Sequence, residues 1–221
     1  MKLSKRAILL TVILACCSWL TGHGVHRRPL GDSLMAAPTL QAPGIADEKG
    51  APAGEAPRVG ESRLIRNLKA GKAQTVVTYG TSLTAGGAWV KQLDEALKAR
   101  WPGQVRVINS GAGAMWSTWG VENLDARVIA KKPDTIFIEF AINDAYLDYK
   151  TPVARARSNL ENMIRRVLAT RSETEIILMT MNPPVGNHLK ARPEIKKYYE
   201  MYRQVALDRG LKLIDHAPHW E

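Results

Sequence analysis

The sequence is nearly free of cysteine. Cys16 and Cys17 are the only two, and they sit side by side in an apolar N-terminal run. Everything beyond them therefore lacks the means for a disulfide, a thiol nucleophile or a cysteine-based metal site. Histidine does not fill that gap, since none of the five is part of a His-x-x-x-His pair. No phosphate loop or dinucleotide fingerprint is present either, because "GTSLTAGG" lacks the required glycine and lysine spacing. No metal and no cofactor are expected. The chain also lacks a clustered basic stripe. Its net charge of +10 divides into +6 over residues 1–72 and +4 over 73–221, where it is spread through a mixed surface. That distribution does not suggest a nucleic-acid partner. No apolar run is long enough to span a bilayer comfortably; the longest is "AILLTVILACC" at 7–17.

That run follows the basic "MKLSKR", so residues 1–22 read as a signal peptide. "ILAC" resembles a bacterial lipobox, although Leu14 is not the usual residue there. Lipidation of Cys16, simple cleavage near "SWLTG" and an uncleaved anchor all stay open. The expected location is outside the cytoplasm: periplasmic, extracellular or held at a membrane through the N-terminus. Residues 23–72 are rich in Gly, Pro and Ala, hold no helical or strand period, and read as a disordered linker. "ESRLIRNLKAGK" near its end suggests a short helix leading into a domain over 73–221.

From residue 73 short β-branched runs alternate with longer amphipathic ones. Strands are predicted at 74–80, 104–110, 134–140, 175–181 and 211–215. Helices are predicted near 87–100, 120–131, 153–170 and 193–209. Strand and helix in alternation imply an α/β domain with a parallel sheet covered on both faces. Near-continuous apolar strands fit burial on both sides. The expected fold is a flavodoxin-like, doubly wound, five-stranded sheet, with ligands at the carboxyl ends of its strands.

The first strand ends in Gly80-Thr81-Ser82-Leu83-Thr84. A serine there suits a nucleophile, and it equally suits a helix N-cap. The second strand ends in "INSGAGAMWSTWG", where Asn109, Gly111 and Gly113 let the backbone fold tightly and aim N–H groups into a cleft. The third ends in "FAINDAY". Asn143 there can donate to an oxyanion without adding charge. Turn chemistry alone also favours Gly, Asn and Asp at such places. It is their arrival in order at three successive strand ends that points to a site. Trp116 and Trp119 could wall such a cleft and stack on a sugar, or simply pack a helix.

These three blocks resemble those of the SGNH (GDSL-type) hydrolases. "GTSL" at 80–83 matches the first block with Thr81 in place of Asp. Asn109-x-Gly111-x-x-Ala114 matches the second with Ala in place of the last Gly. Ala141-Ile142-Asn143-Asp144 matches the third with Ala in place of the first Gly. The literal string Gly31-Asp32-Ser33-Leu34 follows no strand and is read as a coincidence of letters. The resemblance implies the SGNH hydrolase fold and ester hydrolysis by acyl transfer through Ser82. The oxyanion would be held by the N–H of Ser82, the N–H of Ala114 and the Asn143 side chain; a one-residue shift would substitute Gly113 for Ala114. The substrate would be an O-acylated carbohydrate or a small lipid-like ester.

The family's Asp-x-x-His, which supplies the base a serine hydroxyl needs, has no match. The chain ends at Glu221, six residues after Asp215. This suggests a truncation before that loop and a closing helix, with one sheet face left bare and the chain prone to associate. Asp215 with His219, or His188 in the loop after the fourth strand, are the local substitutes; as a surface residue, His188 would instead line the substrate rim. A non-catalytic glycan- or acyl-binding protein on the same fold, or an inactive fragment, is the competing reading.

Overall fold

The computed structural model describes residues 60–220. The expected leader at 1–22 with its cysteines, the "GDSL" string and the linker up to residue 59 lie outside the described residues.

In chain order the helices are α1 (Arg63–Lys69), α2 (Ser82–Ala85), α3 (Ala88–Arg100), α4 (Ser117–Arg127), α5 (Ala141–Asp144), α6 (Val153–Thr170), α7 (Asn187–Lys190) and α8 (Ile195–Arg209). The strands are β1 (Gln74–Gly80), β2 (Val105–Asn109), β3 (Thr135–Glu139), β4 (Glu175–Thr180) and β5 (Lys212–Asp215). All pair in parallel, in the order β2-β1-β3-β4-β5. This is the flavodoxin-like order anticipated from the alternation, with its topological switch beside β1.

The sheet is buried on both faces because successive strand residues point to opposite sides. Val77, Tyr79, Ile136, Ile138, Ile176 and Leu178 pack against α4, α6 and α8. Val76, Phe137, Ile177 and Met179 pack on the other side with Leu93 and Leu97 of α3 and Leu64, Ile65 and Leu68 of α1. The bare sheet face anticipated from the sequence is not seen among the described residues: Ile177, Met179, Met181 and Ile214 on that side are all buried.

Helix α1 lies inside the stretch read as linker, yet it packs as part of the body. Its start is held by a residue far along the chain. The Glu175 carboxylate accepts from Ser62 Oγ (2.7 Å), Arg63 N (2.9 Å) and Leu64 N (2.8 Å), so it meets the first free N–H groups of the helix with negative charge. Helix α4 begins at residue 117, three positions earlier than expected. The Asp144 carboxylate accepts from Ser117 N at 2.9 Å and holds its first turn.

Candidate active site

The site grows from the carboxyl ends of β2, β1 and β3, which are neighbours spaced about 5 Å apart. Gly80 closes β1 opposite Glu139 of β3. A Cβ at Gly80 would lie 2.3 Å from Glu139 Oε1 and 2.5 Å from its carbonyl oxygen, so only glycine lets the two strands meet. Thr81 then leaves the strand in an extended conformation and caps α2, its Oγ1 accepting from Leu83 N at 3.2 Å. Thr81, not Ser82, is therefore the N-cap. Ser82 is exposed at the first position of α2. Among the described residues neither its hydroxyl nor its N–H has a hydrogen-bond partner.

Beneath this turn lies Glu139, only 1% exposed. It accepts from Thr81 N (2.7 Å), Thr81 Oγ1 (2.9 Å) and Thr84 Oγ1 (2.6 Å). Burial pushes its carboxyl up to about 7, and the charge of Asp144 adds to this, against the pull of the threonine bonds. Thr81, where the family block has Asp, gives this buried carboxylate a hydroxyl donor in place of a second negative charge. Sequence reasoning passed over Glu139. The signal was there: one carboxylate at the end of the otherwise apolar "TIFIEF".

The loop after β2 is clamped onto the serine turn. Asn109 Nδ2 donates to Thr84 O at 2.9 Å, its Oδ1 accepts from Gly111 N at 3.0 Å, and Ala112 N donates to Gly80 O at 2.9 Å. A Cβ at Gly111 would sit 2.6 Å from Ala85 N, so this glycine serves close approach. Ala114 adopts a left-handed conformation with φ 57°, whereas Gly113 is not at positive φ. The block has glycine at the position of Ala114, and this is the residue whose backbone asks for one. Its N–H is unclaimed among the described residues.

Asn143 rides on α5 after β3 and is 7% exposed. Its Nδ2 donates to Met115 O at 2.8 Å, which ties the third loop to the second. Ser82, Ala114 and Asn143 thus share one rim, connected through Gly80–Ala112 and Met115–Asn143. Asp144 beside it is buried, with Oδ1 on Ser117 N and Oδ2 without a partner among the described residues. Burial pushes its carboxyl up to about 7, against the Ser117 bonds.

The two tryptophans part company. Trp116 precedes α4, so the three-residue spacing does not put it on a helical face with Trp119. Trp119 packs on Tyr79 at 5.9 Å with Arg127 over its ring, partly buried against the core. Trp116 stacks on Tyr149 at 4.5 Å, and Tyr149 OH donates to Ala114 O at 2.7 Å, so this pair stands at the rim.

Among the described residues no histidine hydrogen-bonds to Ser82. His188 is exposed on α7 beyond β4, two strands from β1, and His219 is exposed beyond β5, three strands away. Asp215 is committed elsewhere: it accepts from Arg203 Nε at 2.7 Å and from Thr180 Oγ1. Burial raises its carboxyl, but the Arg203 and Thr180 bonds outweigh this and hold it below the usual range. Among the described residues no group of three or more His, Cys, Asp or Glu is placed to hold a metal ion.

No curated protein matches the chain significantly. Solved structures do. A lipase/acylhydrolase from Enterococcus faecalis is 30% identical with a TM-score of 0.59, over 66% of this chain and 77% of that one. An acetylxylan esterase from Geobacillus stearothermophilus, solved as a catalytic mutant, shares the fold at 20% identity and a TM-score of 0.57, over 67% and 78%. So does a hydrolase from the metagenome of Lake Arreo, Spain, at 20% and 0.58, over 67% and 80%. The sequence pattern of the GDSL-like lipase/acylhydrolase family runs from β1 to the last residue, 75–221. With its blocks standing at three adjacent strand ends, the chain belongs to that family.

Proposed function

We propose that the protein hydrolyses a carboxylic ester by acyl transfer through Ser82. The observation that carries this is the division of labour in the turn: Thr81 takes the capping role, and Ser82 is left exposed with hydroxyl and N–H both without a partner among the described residues. Ser82 Oγ attacks the ester carbonyl. The resulting oxyanion accepts from Ser82 N–H, Ala114 N–H and the second N–H of Asn143 Nδ2. Collapse of this intermediate breaks the ester C–O bond and releases the alcohol, which carries away the proton lost by the Ser82 hydroxyl; water then hydrolyses the acyl-serine to the free acid and restores the hydroxyl. The rim suits an O-acylated carbohydrate, through the Trp116–Tyr149 stack, or a small lipid-like ester, through exposed Leu147, Val185 and Leu189. Lys2, Lys5 and Arg6 followed by the apolar run 7–17 support export, and Cys16 at the end of that run supports a tether to the membrane by the N-terminus.

One observation favours a binding-only role: no histidine among the described residues bonds to Ser82. Turnover of p-nitrophenyl acetate separates the two. The account expects Ser82→Ala to abolish hydrolysis and Asn143→Ala to lower kcat by about 10²–10³-fold, as loss of an oxyanion donor does. Equal turnover by wild type and Ser82→Ala removes Ser82 from the mechanism.

A further inference from the structure

Asn143 reaches the site on a four-residue turn, and a side chain from another part of the chain grips that turn. Arg192 lies between α7 and α8. It donates from Nε to Ile142 O at 2.7 Å and from Nη2 to Asn143 Oδ1 at 3.3 Å. Its Nη1 donates to His188 O at 3.3 Å, and its guanidinium carbon sits 4.8 Å from the centre of the Tyr146 ring. Alongside, Leu147 N donates to Ala191 O at 3.1 Å, so main chain and side chain join the two segments.

These partners set the direction of the carboxamide. A guanidinium only donates, so the Asn143 atom facing Arg192 is the oxygen. A main-chain carbonyl only accepts, so the atom facing Met115 O is the nitrogen. Two partners of opposite polarity agree on one orientation. A flipped amide would set donor against donor and oxygen against oxygen. In the orientation held, one N–H of Nδ2 goes to Met115 and the other is unclaimed among the described residues.

We propose that Arg192 is a positioning residue for the oxyanion donor: it locks the Asn143 carboxamide so that the free N–H, and not the oxygen, meets the substrate. This rests on the reading of Asn143 as a donor. The fork matters as well as the charge, because one rigid group spans Ile142 O and Asn143 Oδ1. A lysine ammonium on a flexible stem offers a single point.

A double-mutant cycle on the full chain tests this. It uses Arg192→Ala, Arg192→Lys, Asn143→Ala and the Arg192→Ala/Asn143→Ala pair, each checked by its melting curve. Turnover of p-nitrophenyl acetate is read together with affinity for phenylboronic acid, which forms an anionic tetrahedral adduct on serine. Arg192→Ala is expected to lower kcat and boronate affinity by about 10–100-fold with KM nearly unchanged, and Arg192→Lys to recover part of the loss. In the Asn143→Ala background the same change should cost less than about threefold, because the group it positions is gone. In nitrogen–proton spectra, the two Asn143 side-chain amide protons should draw together in Arg192→Ala. An equal loss in both backgrounds, or full activity in Arg192→Ala, overturns the proposal. Wild-type turnover and boronate binding in Asn143→Ala instead overturns the reading of Asn143 as a donor, a distinguishable failure.

Discussion

Ala114 carries the clearest local consequence. Its left-handed φ of 57° is a conformation that glycine adopts freely and alanine does not. Ala114→Gly should leave turnover intact and raise stability in urea by about 0.5–1 kcal/mol, the relief of strain being partly offset by a looser unfolded chain. Gly111 has the opposite requirement. A methyl group there would press on Ala85 N and the Thr84 side chain, in the same turn that aims Ser82. Gly111→Ala is expected to destabilise by about 1–3 kcal/mol and to lower kcat/KM at least tenfold by moving the nucleophile. Unfolding curves and turnover, read on the same preparations, check both. The placement of Ser82, Ala114 and Asn143 after three neighbouring strands was legible because each sits in a block that follows a strand. The partners of Glu139 and Arg192 were not, since they lie 55–58 and 49–50 residues away in the chain.

Among the elements, the strands were readable from their β-branched runs, and β1 spans the residues expected of it. What local pattern missed was set by distant carboxylates. Asp144 starts α4 at Ser117 and so detaches Trp116 from the helix that carries Trp119. Glu175 starts α1 across 111–113 residues of chain, so the short helix expected there was legible but its docking onto the body was not. Removing the carboxylate tests its capping role. Glu175→Ala leaves the first N–H groups of α1 without their acceptor and should cost about 1–3 kcal/mol in urea denaturation. Hydrogen exchange should show α1 losing protection before β1 does. Uniform loss across both would mean that α1 does not depend on this cap.

At the scale of the whole molecule, two carboxyls among the described residues, Glu139 and Asp144, are raised under one site. Because folding raises these pKa values, the stability they contribute is complete below pH about 4 and is lost as pH rises through about 7. Asp215 works in the other direction, its contribution fading as pH falls through its lowered value. Relative to Asp144→Asn, the wild type should lose about 1–3 kcal/mol between pH 4 and 8. Melting curves across that range check it, and a difference independent of pH would mean that Asp144 is charged throughout. The proposed chemistry needs one point shared by three loops. A crystal structure of the phenylboronic acid adduct tests that most directly. It should show boron bonded to Ser82 Oγ, with one boronate oxygen within hydrogen-bond reach of Ser82 N, Ala114 N and Asn143 Nδ2. An adduct whose oxygens all face solvent, or boron bound to a different residue, would contradict it.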